Sequence, residues 1–454
     1  MNFLNKQFWK KVLIIGFPVA IQNLINTTVN MVDTFMIGSL GDEYVSAVGL
    51  ANKIFFVMNL LIFGIVSGCS VLLSQYFGKK DEKNLNKTFG CMMILSIIGS
   101  LLFFIAALLI PRQLMMIFTQ SDKLIEIGSS YLKIVSISYV FTAFSMATGM
   151  LLRSINKAKA PMYFTIISVL VNVLFNYIFI FGSFGAPRLL ANGAAIGTII
   201  ARIVEFTLIL LYVIFGKLNV KLNFKDIISI DSYTIKKNLK FALPVIINEL
   251  GWGLGTTMYS VIYGHMSDDV VAAMTISTAL EDLVYALLFG VSTACAVIVG
   301  NQLGANDLEG AQKTAKKLLI AGIGLSAILA VVLIALINPY ILLYKANDNV
   351  IADIKKVCIA YAFIMPARTF NLIMIVGILR SGGDTLFSMI MELACLWGVG
   401  LSLGTIGAFV FKLDVLYVYL LFETEQFVKV VVGFIRYRQK KWVRNIAVRE
   451  EISY

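Results

Sequence analysis

Four polar side chains in the first apolar stretch of the chain recur at helical spacing. Asn23, Asn26, Asn30 and Asp33 follow at intervals of three, four and three residues, which places them on one helix face. Charged groups in hydrocarbon are costly and usually face an interior cavity or a partner. Asp33 is therefore the sharpest candidate for binding an ion or a proton. The alternative is that this polar face only forms hydrogen bonds between helices.

A second helix face combines an acid with aromatic rings. Glu249, Trp252, Thr256, Tyr259 and Tyr263 follow at intervals of three, four, three and four residues. Aromatic faces attract organic cations, and a desolvated carboxylate supplies the counter-charge. These residues predict a binding surface for a flat cationic compound. The alternative is an aromatic packing face whose Glu249 pairs with a neighbouring helix.

Glu281 lies in the next apolar stretch, at a similar depth to Glu249. If the two acids share a cavity, repulsion and desolvation favour binding of a proton near neutral pH, whereas a paired basic residue removes that effect. The sequence offers three basic partners without choosing among them: Lys53, Arg202 and Arg368. The residues expected to line a substrate cavity are Asn30, Glu249, Trp252, Tyr259 and Glu281.

Other acids in apolar stretches receive no functional assignment. Arg202 and Glu205 are three residues apart, so we expect them to pair on one helix for structural reasons. The remaining acids of this kind are Glu392, Glu423 and Glu425.

The elements that must position these side chains come in two related sets. Residues 18–81 align without a gap onto residues 244–307 at a constant offset of 226, with 15 identities in 64 positions. Duplicated sets of membrane-spanning segments are common in secondary transporters, where the substrate path lies between the repeats. A second repeated motif, at an offset of 227 residues, relates Leu152-Arg153-Ser154 to Leu379-Arg380-Ser381. The identical pairs include Pro18/Pro244, Gly64/Gly290, Gly78/Gly304 and Asp81/Asp307.

Composition places the chain in a lipid bilayer. It is 59% hydrophobic and 14% charged, with a mean hydropathy of +0.86, which excludes a soluble globular domain. Its apolar runs are continuous rather than alternating, which favours membrane-spanning helices over a barrel. Twelve stretches reach the ~20 residues that a span requires. They lie at 12–38, 45–76, 89–110, 125–150, 161–183, 191–215, 239–264, 271–303, 314–338, 353–378, 385–409 and 414–437.

We therefore predict an all-α integral membrane protein with twelve transmembrane helices. An N-terminal six-helix lobe at 1–220 and a C-terminal six-helix lobe at 239–454 flank a cytoplasmic loop at 221–238. Because each half has an even number of spans, the lobes should be related by a pseudo-two-fold axis along the membrane normal. The five cysteines all lie in apolar segments without a CxxC pair, so we expect them to be small packing residues.

The positive charge is distributed unevenly between the two sides of the predicted membrane. Of 38 Lys and Arg residues, 26 lie on the side that holds both termini and seven on the other side. The positive-inside rule then places both termini in the cytoplasm of a multi-pass protein, which we expect in the plasma membrane. This distribution explains the net charge of +12 without a nucleic-acid partner.

Seven stretches distributed over essentially the whole chain form a recognisable series. They are TTVNMVDTFMIGSLGDEYVSAVGLAN, SQYFGKKD, LRSINKAKAP, LRSGGDT, NVLFNYIFIFG, GAAIGTIIAR and VGNQLGANDLEGA. This series resembles, in the family's order, the multidrug and toxic compound extrusion (MATE) family of transporters. The resemblance implies a V-shaped pair of six-helix lobes that alternate between inward- and outward-open states. It also implies export of organic cations against entry of Na⁺ or H⁺.

The resemblance also implies a site for the coupling ion. Asp33 matches the family's first-span aspartate, whose site uses an Asn and an Asp in span five and a Thr in span six. The corresponding residues here are Asn172, Asn176 and Thr198, so an Asn replaces the second acid. A site with one formal charge should hold Na⁺ more weakly, and protonation of Asp33 remains open. The family's acid in span ten is also missing, since Arg368 lies in that region.

The leading hypothesis is a cation-coupled antiporter that exports amphipathic, mostly cationic organic compounds. Asp33 would couple the ion, and Glu249 would face the substrate or a second proton. The alternative within the same superfamily is a flippase for lipid-linked saccharides, which would need basic residues to hold a pyrophosphate. A membrane enzyme has little support, because the chain has no HExxH or GxSxG motif. We expect a monomer without a cofactor or a dedicated metal site.

Overall fold

The computed structural model describes residues 6–342, 344 and 346–448. The ends of the two predicted lobes, residues 1–5 and 449–454, lie outside the described residues, as do two of the counted charges, Lys345 and Arg449. Helices make up most of the described chain, and no strand occurs among these residues. The predicted all-α class is thus confirmed.

The first half of the chain forms eight α-helices and one 3-10 turn. Helices α5 and α6 are bent by 50° relative to each other at a short break, and together they form one predicted span. The α-helices are α1 (Lys6–Gly38), α2 (Asp42–Lys79), α3 (Glu82–Leu109), α4 (Pro111–Met116), α5 (Asp122–Val135), α6 (Ser138–Ser154), α7 (Lys159–Phe181) and α8 (Ala191–Phe215).

The second half repeats this order with two π-helical segments, Ile373–Leu379 and Leu396–Leu401, inside its spans. A short helix, α9 (Phe224–Ile228), lies in the loop between the halves. The following helices are α10 (Ser232–Gly264), α11 (Asp268–Gly304), α12 (Leu308–Ile341), α13 (Asp348–Leu372), α14 (Thr385–Cys395), α15 (Ser402–Phe409) and α16 (Val415–Arg438).

Each of the twelve predicted stretches corresponds to one long helix or to one interrupted helix. Among the described residues, nine helices are long and apolar enough to cross a membrane, and the bent α5–α6 pair adds a tenth. The other two predicted spans are α10 and α16, which have 33 and 24 residues. The twelve-helix prediction is confirmed, although α10 begins at Ser232 rather than at residue 239.

Two pairs of identical residues in the repeat have matching structural roles. Asp81 and Asp307 cap the N-termini of α3 and α12, because their carboxylates accept the backbone N–H of Asn84 and Gly310. Gly78 and Gly304 lie where α2 and α11 approach each other closely. A Cβ atom on Gly78 would lie 1.9 Å from the carbonyl oxygen of Asn301, and one on Gly304 would lie 1.9 Å from that of Gln75. Only glycine permits this approach.

The chain separates into two compact units. The N unit consists of residues 21–73 and 81–246, and the C unit consists of residues up to Ala20, Ser74–Lys80 and residues from Ile247 onward. The predicted boundaries of the lobes, 1–220 and 239–454, stay a prediction. All five cysteines are buried and have free thiols, in agreement with a packing role. Many large apolar side chains are exposed, as lipid-facing helices require; they include Phe35, Leu109, Phe215 and Val331.

Candidate functional site

The Asp33 cluster of the N unit consists of Asp33, Asn172, Asn176 and Thr198. The Nδ2 atom of Asn176 donates to Oδ1 of Asp33 at 2.8 Å and to Oδ1 of Asn172 at 3.3 Å. Asn172 in turn donates to the hydroxyl of Thr198 at 3.4 Å. The structure therefore brings together the four residues that the sequence suggested for the ion site.

Small residues of α8 allow this cluster to form. Asn172 and Asn176 are one turn apart on α7 and face α8. A Cβ atom on Gly197 would lie 2.1 Å from Oδ1 of Asn176, and one on Gly193 would lie 2.5 Å from the backbone of Phe179. The two glycines let the helices approach so closely that the side chains of α7 reach Thr198 and Asp33.

One oxygen of the Asp33 cluster has no hydrogen-bond donor. Oδ1 of Asn176 is buried and lacks a partner among the described residues. Asp33 is half-buried. The cluster thus offers carboxylate, amide and hydroxyl oxygens, which are the ligand types that Na⁺ or a hydrated proton prefers. Within the described chain, no group of three or more His, Cys, Asp or Glu side chains is placed to hold a metal ion.

Asn30 does not join the Asp33 cluster by a hydrogen bond. Its side chain is exposed, and its carbonyl oxygen accepts the hydroxyl of Thr34 at 2.8 Å. The polar face predicted for the first helix therefore contributes one residue, Asp33, to the cluster.

A second polar network in the N unit was not predicted from the sequence. Arg153 donates to Oε1 of Gln22 at 2.5 Å, and Gln22 donates to the hydroxyl of Thr165 at 2.7 Å. Thr165 donates to Glu205 at 2.8 Å, and Glu205 pairs with Arg202 at 2.7 Å. The predicted Arg202–Glu205 pair is thus present, but it belongs to a chain of contacts that links α1, α6, α7 and α8.

The C unit repeats this arrangement with acids in place of neutral residues. Arg380 donates to Oε1 of Glu249 at 2.7 Å, and a carboxylate oxygen of Glu392 lies 3.9 Å from the same Nη2 atom. Asn248 donates to Glu392 at 2.8 Å. The bond from Arg380 to Glu249 spans 131 residues, the same separation as the bond from Arg153 to its glutamine in the N unit.

The Arg368 cluster is the second charged group of the C unit. Arg368 donates through Nη1 to Glu281 at 2.9 Å and through Nε to Glu423 at 2.8 Å, with a further bond from Nη2 to Glu423. The hydroxyl of Tyr419 donates to the other oxygen of Glu281 at 2.9 Å. The guanidinium also lies over the ring of Tyr361, 5.0 Å from its centre.

These contacts correct the expectation for Glu249 and Glu281. Each acid is paired with an arginine in its own cluster, so the repulsion considered for a shared cavity does not arise between them. The partner of Glu249 is Arg380, which was counted among the loop charges. Arg380 directly follows a π-helical segment and lies inside the protein, with only 3% of its surface exposed. Glu249 is therefore not a free counter-charge for a bound cation.

The aromatic face of α10 packs largely within the C unit. The ring of Tyr259 lies 4.1 Å from that of Phe422, and the ring of Tyr263 lies 5.4 Å from it. Trp252 is half-buried. Tyr259 and Tyr263 are therefore packing residues, as the alternative interpretation proposed. Trp252, in contrast, makes no ring contact among the described residues.

A further ion pair, on α16, was also not predicted from the sequence. Glu425 lies 3.0 Å from Nζ of Lys429, and less than a tenth of either side chain is exposed. The spacing of four residues was a usable signal, because such pairs face each other on one helix.

The chain is similar in sequence to known proteins. The sequence model of the MatE family matches residues 18–178 and 244–406, once in each half of the chain. The uncharacterized transporter YisQ of Bacillus subtilis is 25% identical over 94% of both chains. A probable multidrug resistance protein NorM of Thermotoga maritima is 24% identical over 100% of this chain and 98% of its own.

Solved structures agree with this result. A crystal structure of MATE in complex with MaL6 has a TM-score of 0.88 at 17% identity and covers 95% of this chain and 96% of that chain. A MOP superfamily transporter from Pyrococcus furiosus, whose binding pocket of reverse polarity suggests a different function, has a TM-score of 0.87 at 18% identity and covers 95% of both chains. Since the family match extends over more than half of its residues, the chain belongs to the MatE family of membrane transporters.

Proposed function

We propose that this protein exports amphipathic, mostly cationic organic compounds across the plasma membrane in exchange for H⁺ or Na⁺. The observation that carries the proposal is the Asp33 cluster, a half-buried carboxylate held by Asn176 within apolar helices. Membership of the MatE family supports it, as do relatives described as probable multidrug resistance proteins. An acid at such a place is expected to bind and release a cation during transport.

In this proposal Asp33 binds the coupling ion, and Asn172, Asn176 and Thr198 orient it. The unpartnered oxygen of Asn176 gives the cluster a spare acceptor for a cation or an acidic hydrogen. Since only one carboxylate is present, one bound H⁺ or one Na⁺ neutralises the cluster. Both ions therefore remain candidates for coupling.

The substrate would contact exposed or half-buried residues rather than the paired acids. Asn30 and Trp252 meet this condition. An indole ring is the strongest partner for an organic cation among the aromatic side chains. Glu249 and Glu281 would act indirectly, by holding Arg380 and Arg368 in place inside the C unit.

Two paired arginines argue against the flippase alternative. Arg202 is paired with Glu205, and Arg368 is paired with Glu281 and Glu423. Guanidinium groups engaged in this way are less available to bind a pyrophosphate. Lys53 is exposed, and it alone would not hold a doubly charged anion.

The proposed orientation places both termini in the cytoplasm, because most basic residues lie on that side of the spans. The exchanged ion then enters from the outside, and the compound leaves the cytoplasm. We propose that one chain suffices for this cycle.

An efflux assay in a bacterial host that lacks its own drug pumps tests the function. Cells that express the wild-type protein should accumulate less ethidium or norfloxacin than cells with an empty vector. Asp33→Asn should abolish this difference, because an amide cannot take up the coupling charge. The matched control is Asp122→Asn, which changes an exposed acid of the same unit and should transport normally.

Two results would count against the proposal. Wild-type expression that leaves accumulation of these compounds and a wider panel of organic cations unchanged would reject drug export. Normal efflux by Asp33→Asn, with the variant present in the membrane at the wild-type level, would reject the role of Asp33.

A further inference from the structure

The Arg368 cluster contains more acid than base. It holds two carboxylates, Glu281 and Glu423, and a single guanidinium. Glu281 is 7% exposed and Glu423 is 3% exposed, so water solvates little of the surplus charge. With both acids ionised, the cluster carries one net negative charge inside the C unit.

No second cation balances this charge among the described residues. The basic contacts of Glu281 and Glu423 come from Arg368, and Lys429 is already paired with Glu425. The other titratable side chains near the cluster are acids, phenols or a thiol, and none of them becomes positive. They are Asp282 on α11, Tyr259 and Tyr263 on α10, Cys358 and Tyr361 on α13, and Tyr419 and Glu425 on α16.

An uncompensated charge in a protein interior costs several kcal/mol, and a carboxylate avoids the cost by binding a proton. We infer that Glu281 is a proton-binding site of the C unit, separate from Asp33. Proton uptake forms one O–H bond at a carboxylate oxygen of Glu281 and brings the cluster to zero net charge. The proton comes from a hydronium ion of the surrounding water, which loses one O–H bond and becomes neutral water.

The hydrogen bonds identify Glu281 rather than Glu423 as the acceptor. Glu423 receives two N–H bonds from one guanidinium, and a guanidinium has no means of accepting a hydrogen bond in return. Glu281 receives one bond from Arg368 and one from the hydroxyl of Tyr419. A hydroxyl both donates and accepts, so Tyr419 can turn around and accept the proton of Glu281.

The repeat shows that this site belongs to one copy only. At the offset of 226, the residue that corresponds to Glu281 is Phe55. The N unit therefore has an aromatic ring at this position, and the C unit has an acid. Proton binding at Glu281 is a property of the resting protein and holds whichever compound the protein exports.

Infrared spectroscopy of the full-length protein in lipid nanodiscs tests this inference, because a protonated carboxyl has a distinct C=O stretch. At about pH 7, well above the ordinary pKa of glutamate near 4.3, the wild type should retain a protonated carboxyl signal. Glu281→Gln should lose the intensity of one carboxyl. Glu309→Gln, which changes an exposed acid, should lose none.

Tyr419→Phe provides a second variant that keeps Glu281 in place. It removes the hydroxyl that contacts the acid, so the band of protonated Glu281 should shift to higher frequency. The inference is overturned if Glu281→Gln keeps the full band intensity and Tyr419→Phe leaves its frequency unchanged. It is also overturned if only Glu423→Gln removes the band, because the proton would then reside on the other acid. Efflux by Asp33→Asn has no bearing on any of these outcomes.

Discussion

Individual side chains in the two copies of the repeat show how the same place in a helix can be neutral or charged. Arg153 and Arg380 each donate to a residue 131 positions earlier, a glutamine in the first copy and Glu249 in the second. The sequence reasoning found the repeated arginine but not its partner. No local spacing connects residues so far apart, and an arginine beside a turn normally indicates solvent exposure.

The glutamine of the first copy predicts how Glu249 tolerates change. Glu249→Gln should fold with nearly wild-type stability, because an amide oxygen already serves as the acceptor for Arg153. Arg380→Met should instead destabilise the protein by about 3–5 kcal/mol, because it leaves buried carboxylates without their cation. Thermal unfolding in detergent compares the two variants. Equal losses of stability would show that the Arg380 pair does not have the proposed structural role.

Several residues that are identical in the two copies of the repeat lie at helix contacts or at helix ends. The sequence identified Gly78 and Gly304 only as identical pairs, because close contact between helices leaves no spacing pattern in either one. The Asp33 cluster could be predicted from the sequence, because Asn172, Asn176 and Thr198 lie in stretches that resemble the MATE family. The Arg368 cluster was predicted only in part: Arg368 was one of three basic partners considered for Glu281, but no spacing in the sequence connects either residue with Glu423 on α16.

The close approach of α2 and α11 predicts the effect of adding a methyl group. Gly78→Ala and Gly304→Ala should each destabilise the protein by about 1–3 kcal/mol, because the new Cβ atom would overlap a carbonyl oxygen of the neighbouring helix. Gly49→Ala is the matched control on α2, since nothing lies within 4 Å of its added Cβ atom. A control that loses as much stability as the two variants would remove the steric explanation.

The start of α10 predicts a pH-dependent contribution to stability. Lys87 and Thr234 donate hydrogen bonds to Asp231, which hold the pKa of Asp231 well below its usual value. A lowered pKa stabilises the folded state above the unfolded-state pKa of about 3.9, and the stabilisation disappears as the pH falls through the folded-state value. Because Asp231 is 52% exposed, we expect the effect to be small.

Asp231→Asn tests this contribution through the melting temperature in detergent. The variant should melt below the wild type near neutral pH, and the difference should shrink as the pH is lowered past about 4. Asp226→Asn, in the same loop, should show no such dependence. A difference that is constant over the whole range would mean that the charge of Asp231 is not responsible.

At the scale of the whole molecule, two similar sets of helices carry different chemistry. The N unit holds the half-buried Asp33 with a hydrogen-bonded amide and one Arg202–Glu205 pair, whereas the C unit holds acids around two arginines. Length, hydropathy and repeat were enough to predict twelve helices, because spans follow from composition. The distribution of charge between the two units depends on contacts between helices, which composition does not specify.

The most direct test of the account measures substrate flux in proteoliposomes that contain only the purified protein. A pH gradient and a Na⁺ gradient are imposed separately, and uptake of ethidium is followed for the wild type and for Asp33→Asn. The account predicts that at least one gradient drives uptake by the wild type and that neither drives uptake by the variant. Wild-type uptake that neither gradient affects would contradict the account, and so would a variant that responds like the wild type.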